Sequence, residues 1–405
     1  MKATVVVNKP LTSLSNGYDL RVWHLCGSLL RAGHTASLVI LPLASRVAAE
    51  YADGTVDANE LFHEVTEIGE ESLATPAFRR HFRSSEIDYL RYAHPRFFDA
   101  SLEAIGAALQ RHAADRLIFF GENLAGMAAV FRDRPVILDV CDSVVLTLRR
   151  QRGGADESGL GGRLQASLNL RRWERLEQVL PGLIRLVTTI SEPDSETIRQ
   201  LARGARNVMT VPNGVAPELE HWRMRPANIR RGVVFWGNMA FGPNREAVRR
   251  FHDEVFAPRL APRGIEWCIV GRNPEPWLID EAGRNSLIRL TGFVAELYPL
   301  VSEYPVMVNP MYSGSGLKNK VLEAFALGLA VVSTQMGVEA IDGARADTHF
   351  ALAAGGQAFA NQVLRLLDDA PRRDSLACNA RQLVTSRYTW DVIGHQWQGL
   401  CEGLS

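Results

Sequence analysis

Short apolar runs alternate with helix-patterned segments along nearly all 405 residues. The runs "ATVVVN" (3–8), "ASLVILP" (36–42), "RLIFFG" (116–121), "PVILDV" (135–140), "RLVTTIS" (185–191) and "NVMTVPN" (207–213) read as buried strands. Helical patterns lie between them at 19–32, where Leu20, Trp23 and Leu30 share a face, and at 86–113 and 164–178. Such alternation predicts an α/β architecture, a parallel sheet with helices on both faces. The polar, glycine-rich stretch "RRQRGGADESGLGG" (149–162) reads as a loop. The pattern pauses at 211–232, where Asn213-Gly214 signals a turn and two prolines follow. A second set then begins with "GVVFWGN" (232–238), a helix from Asn244, "EWCIVG" (266–271), "SLIRLTGFV" (286–294), "PVMVNP" (305–310) and "AVVST" (330–334). The chain ends in helices, the last at 389–404. Two doubly wound domains, facing across a cleft, are therefore expected.

Lys plus Arg equals Asp plus Glu at 45 each, so no global field favours nucleic acid as a partner. The five cysteines are far apart and lack metal-ligand spacing, which suits reduced cytosolic thiols. The ten histidines form no HxxxH or HExxH pattern, so no catalytic metal is expected. The chain opens directly on a strand-like run without a signal-peptide pattern. It has no apolar stretch of about 18 residues to span a membrane. A cytoplasmic protein is expected.

The most unusual segment is "SGSGLKNKVLEAFALGLAVVST" (313–334). A glycine-rich turn opens a helix carrying Lys318, Lys320 and Glu323. Unpaired N–H groups at a helix start, glycines that admit a ligand to the backbone, and nearby lysines together suit an anion. Val321 and Phe325 would face the core, and Lys320 and Glu323 a different side. Other strand-end turns carry weaker signals. Asn16-Gly17 allows a tight turn after the first strand but is not GxGxxG, so the dinucleotide fingerprint is absent. "FWGNMAFGPNREAV" (235–248) places Gly237, Asn238, Asn244 and Arg245 at the matching point of the second set, with Pro243 suited to a helix start. Asn244 there could bind phosphate or cap the helix. "IVGRNP" puts Arg272 at the rim, and "LTGFVAEL" offers backbone to a flat base edge. The turns of the second set and the 313–334 segment should line one edge of one domain.

In this order, the motifs resemble the nucleotide-sugar domain of the retaining glycosyltransferase family 4, whose fold is GT-B. The segments that carry the likeness are "VPNGV", "FWGNMAFGPN", "IVGRNP", "LTGFV" and "PMYSGSGLKNKVLEAFALGLAVVSTQMGVEAI", with "NGYDLRVWHLCGSLLRAGH" in the first half. The GSGLKNKVLEA pattern is similar to members from bacterial exopolysaccharide and lipopolysaccharide clusters. The resemblance implies Rossmann-like domains at 1–214 and 215–387, with a final helix (388–405) packing back on the first. It implies a metal-independent transfer, with retention and without a cofactor, from a UDP- or GDP-sugar to a glycan or lipid-linked acceptor. Glu323 matches the glutamate that bonds the donor ribose. Val294 matches the backbone contact to the base, and Gly17 the glycine turn near the donor phosphates. Gly237 and Asn238 match a turn where many relatives carry a basic residue. Ser315 stands where many have a glutamate against the donor sugar, so Ser315, Gly316 and Leu317 would meet the sugar through backbone and a hydroxyl. Lys318 and Lys320 are then the candidate phosphate cations, and charge that grows on the leaving diphosphate needs such groups. Asp142, just past a strand end, is the first-domain candidate for touching substrate.

Three other readings compete. A catalytically inactive nucleotide-binding scaffold would explain the departures at Ser315 and Asn238. A nucleotide-sugar epimerase shares the fold but not the motif. A dinucleotide oxidoreductase shares only the alternation. The basic, aromatic stretches 78–98 and 221–231 are candidate contacts for anionic lipid headgroups, with solvated arginines as the plainer reading.

Overall fold

The computed structural model describes residues 1–12, 14, 17–43, 56–69, 86–151, 160–223 and 231–404. These form two compact units, Met1–Asn213 with Ile393–Ser405, and Gly214–Val392.

The first unit is built on a seven-stranded sheet: β1 (Lys2–Val7), β2 (Thr35–Ile40), β3 (Glu64–Glu67), β4 (Arg116–Phe120), β5 (Val136–Cys141), β6 (Leu186–Thr189) and β7 (Val208–Thr210). The order is β3-β2-β1-β4-β5-β6-β7 and every pairing is parallel. The strands are nearly continuous apolar runs because helices cover both faces. Val5 to Val7, Leu117 to Phe120 and Val136 to Leu138 are all fully buried. The Gly17–Arg31 helix crosses from β1 to β2. The last helix, Trp390–Glu402, brings Trp397 against Phe120, ring centroids 6.3 Å apart. Gly394 permits this approach, since a Cβ there would lie 2.6 Å from Ser28 Cβ.

The second unit has a six-stranded parallel sheet: β8 (Gly232–Trp236), β9 (Glu266–Val270), β10 (Ile288–Gly292), β11 (Val306–Asn309), β12 (Ala330–Ser333) and β13 (Ala351–Leu352). Its order is β10-β9-β8-β11-β12-β13. Its aromatic core gathers Phe251, Trp267 and Phe359, with centroids 4.9 Å apart for Phe251 and Trp267 and 5.6 Å for Phe251 and Phe359. Between β8 and β11 the chain connections leave in opposite directions. Ligands in open parallel sheets gather at the carboxyl ends of strands at such a switch point. The loop after β8 and the glycine-rich loop after β11 emerge together there.

Several boundaries differ from the sequence reading. The 86–113 pattern breaks at His94-Pro95 into helices Tyr89–Ala93 and Pro95–His112, because proline cannot donate to the preceding turn. There Phe97 and Phe98 are core residues, not surface ones. The loop expected at 149–162 is helix at both ends, as Val144–Gln151 and Leu160–Leu183. Its middle lies outside the described residues, as do 78–85 and 224–230 of the two basic stretches. The helix after β8 starts at Gly242, with Pro243 in its first turn.

Candidate functional site

Gly237 follows β8 with φ +152°, and Gly271 follows β9 with φ +144°. The two turns touch: Gly237 N donates to Val270 O at 3.0 Å, and a Cβ on Gly271 would sit 1.9 Å from Gly237 O. Only glycine fits there. The contact keeps the strand-end backbone open where a ligand would approach. Beyond Gly237, Asn238 closes a local turn, its Oδ1 accepting from Ala240 N at 3.0 Å and from Asn273 Nδ2 at 3.2 Å.

Across the switch point stands the Asn319–Leu327 helix, which begins one residue later than expected for Lys318. Lys318 precedes its first turn. The Lys318 ammonium folds back to donate to Ser315 O at 2.6 Å and Gly316 O at 3.0 Å, so it braces the glycine-rich loop from inside. Leu317 is buried beneath it. Ser313 Oγ donates to Glu246 on the facing helix. Val321, Leu322, Ala324 and Phe325 point into the core, leaving Lys320 and Glu323 half-buried toward the loops.

Lys320 Nζ donates to Asn244 Oδ1 at 2.6 Å and lies 4.3 Å above the Phe235 ring. Asn244 Nδ2 in turn donates to Asn238 O at 2.8 Å. Burial of the ammonium, helped by repulsion from Lys318 and opposed by Glu323, lowers the Lys320 pKa to about 7. Glu323 accepts from Trp236 Nε1 at 2.8 Å. Burial raises its pKa, against the indole bond and Lys320, while Glu218 pushes the same way as burial. Burial and the same two carboxylates hold the Tyr298 phenol well above its ordinary range. Trp236, Glu218 and Tyr298 are not among the candidate residues read from the sequence. Only the position of Trp236, last in a strand before glycine, could have marked it.

Arg272 stacks on the Phe293 ring at 3.9 Å, and Phe293 stands exposed beside Val294 at the end of β10. Gly237, Asn238, Asn244 and Lys320 are thus joined in one bonded cluster. Ser315, Gly316 and Lys318 form a second, Glu323 pairs with Trp236, and Arg272 adjoins Val294.

Gly17 and Asp142 belong to the first unit. Gly17 is the first residue of its helix, and the neighbouring Tyr18 hydroxyl donates to Phe120 O at 3.0 Å. Asp142 is exposed just past β5. Near it, Glu122 follows β4. Burial, with Asp142 and Glu177 adding repulsion, raises the Glu122 pKa to about 8. Glu177 accepts from Ser143 Oγ at 2.7 Å and Val145 N at 2.9 Å, yet burial raises it to about 7. The sequence reading missed both carboxyls. Beneath them Arg21 grips Asp139 through two bonds and donates to Val211 O at 2.7 Å.

Residues 230–369 match the family model described as "Glycosyl transferases group 1". The matched stretch lies wholly within the second unit. It contains every second-unit residue of the site described above except Glu218, which the Pro217–Glu220 helix carries. A glycogen synthase of Mycobacterium tuberculosis is 27% identical over 221 residues, 51% of this chain and 51% of that protein. The chain thus spans about half the length of the curated relatives it matches. Solved structures match it end to end. Sucrose-phosphate synthase from Thermosynechococcus elongatus superposes with a TM-score of 0.69 at 16% identity, covering 100% of this chain and 99% of that one. Anabaena HepE in complex with UDP and glucose gives 0.67 at 14%, covering 99% of each. WaaG, a glycosyltransferase involved in lipopolysaccharide biosynthesis, gives 0.64 at 15% with full coverage of both. The fold is GT-B, two Rossmann-like units with the C-terminal helix packed on the first.

Proposed function

We propose that the protein is a retaining glycosyltransferase that moves a sugar from a nucleoside-diphosphate sugar to a glycan or lipid-linked acceptor. The observation that carries this is the placement of Lys320 and Glu323. A cation and a carboxylate stand half-buried in the first turns of one helix, beside a glycine turn at the switch point of the unit that matches the group 1 glycosyltransferase model.

Glu323 would accept from the ribose hydroxyls, with Trp236 holding its carboxylate. Val294 backbone, beside the Arg272–Phe293 stack, would meet the base. Ser315, Gly316 and Leu317 would meet the sugar. As the bond from the anomeric carbon to the diphosphate breaks, negative charge grows on the leaving group. Lys320 and the positive end of the Asn319–Leu327 helix would stabilise it without a metal ion. The donor phosphate would take the acceptor proton, so no side-chain base is assigned. UDP is the first diphosphate to test, since HepE forms complexes with UDP and glucose and with UDP-glucose. A cytoplasmic enzyme, at the inner face of the membrane if its acceptor is lipid-linked, goes with this reading. Exopolysaccharide or lipopolysaccharide synthesis is the proposed setting.

The second reading, a nucleotide-binding subunit without turnover, draws on Lys318. Its ammonium is engaged by two loop carbonyls.

Thermal shifts with UDP, GDP, ADP, TDP and NAD, on wild type and on Lys320→Ala and Glu323→Ala, test the donor site. A diphosphate that stabilises wild type and neither variant supports it. Stabilisation by NAD alone, or by none, defeats it. Binding without transfer or slow donor hydrolysis selects the scaffold.

A further inference from the structure

We propose that Asn244 is a positioning residue, whose carboxamide holds the Lys320 ammonium at the Gly237 turn as a cation ready for an anionic ligand. The ligand class rests on the nucleotide-sugar reading; the coupling of Asn244 to Lys320 does not.

Asn244 is 6% exposed, so its amide cannot exchange partners with solvent. Its orientation is fixed by chemistry. Nδ2 donates to Asn238 O at 2.8 Å, which leaves Oδ1 for Lys320 at 2.6 Å. The flipped amide would set donor against ammonium and oxygen against carbonyl. The place held is the backbone turn itself. A Cβ on Gly237 would meet Asn244 Nδ2 at 2.8 Å and Lys320 Nζ at 3.1 Å. Gly237, Asn244 and Lys320 therefore form one surface, contributed by β8 and by the helices after β8 and β11.

The choice of an amide has a physical consequence. A carboxylate here would fix the lysine and cancel its charge. A neutral oxygen fixes it and leaves the charge for the ligand. Few other groups act on the ammonium. Lys318 repels it and Glu323 attracts it, both from its own segment, and Glu218 lies behind Glu323. β8 offers the uncharged Phe235 face, and the helix after β8 offers Asn244.

The chain has four lysines, Lys2, Lys9, Lys318 and Lys320. Lysine labelled with carbon-13 at Cε therefore gives four side-chain signals, and Lys320→Ala assigns one. The test follows that signal from pH 5.5 to 10 in wild type, Asn244→Ala and Asn244→Asp. The expected result is a Lys320 midpoint moved down by Asn244→Ala and up by Asn244→Asp, with Lys2 and Lys9 unmoved. Equal midpoints in wild type and a folded Asn244 variant overturn the proposal. Asn244→Asp is nearly isosteric and keeps the test valid if Asn244→Ala does not fold. UDP titrations on the same samples separate the two ideas. Absence of UDP binding to wild type counts against the nucleotide-sugar reading, while the lysine signal still judges Asn244. Where UDP binds, Asn244→Ala should weaken it about tenfold at pH 7, the effect of one charge-assisted hydrogen bond.

Discussion

The indole Nε1 of Trp236, the last residue of β8, donates to a carboxylate oxygen of Glu323 at 2.8 Å. The bond links the sheet to the Asn319–Leu327 helix and opposes the rise that burial imposes on the Glu323 pKa. Trp236→Phe keeps a ring and removes the donor. The carboxyl should then titrate higher and lose its fixed orientation. UDP binding should weaken by about 1–3 kcal/mol. In a double-mutant cycle, Glu323→Gln should cost less in the Trp236→Phe background than in wild type. Additive losses by calorimetry would show that the two side chains act separately.

Lys320 gives the ligand-free protein a pH signature. Its folded pKa, about 7, lies below its ordinary value of 10.5. Between those pH values the unfolded chain binds more protons than the folded one, so stability rises with pH in that window. Lys320→Met abolishes this contribution. The melting temperature of wild type relative to Lys320→Met should therefore climb from pH 7 to 10 and be flat below about pH 6. A constant difference would mean that the ammonium is not buried in solution.

The two parallel sheets were legible because nearly every central strand is a continuous apolar run, "ATVVVN" and "GVVFW" among them. β3 was not, because "EVTE" is a half-buried edge strand with no run to see. Glycines at strand ends marked the loops of the second unit. The bonds within those loops were a different matter. Asn244 could be read as phosphate ligand or helix cap, and only its spatial neighbours, 6 and 76 residues away, assign its amide. Lys318 looked like a helix cation until the chain turned its ammonium back onto two carbonyls. Glu122 was passed over because burial, not sequence, gives a carboxyl an unusual pKa.

Gly271→Ala tests the backbone contact on which the open edge depends. The new Cβ would fall 1.9 Å from Gly237 O, at a φ of +144°. Neither backbone can yield without disturbing β8 or β9. A loss of more than about 3 kcal/mol is expected, from clash and backbone strain together. Gly283→Ala, where nothing lies within 4 Å of the added carbon, is the control and should be neutral or slightly stabilising. Equal melting temperatures for the two variants would remove the Gly237–Gly271 contact.

Glu122 supplies the opposite pH signature in the first unit. Its folded pKa is raised from 4.5 to about 8 by burial, with Asp142 and Glu177 adding repulsion. Between these values the folded chain holds a proton that the unfolded chain has released. The sign is thus reversed from that of Lys320, and stability falls as pH rises from 4.5 to 8. Glu122→Gln keeps the shape of the protonated acid and cannot ionise. It should match wild type near pH 4.5 and become progressively more stable than wild type up to pH 8, with no further gain above. Asp142→Asn should make the wild-type decline smaller and end it at a lower pH, because one repelling charge is gone and the Glu122 carboxyl ionises more easily. A Glu122→Gln difference that does not change between pH 5 and 8 would show that this carboxyl is solvated and ionised like any surface glutamate.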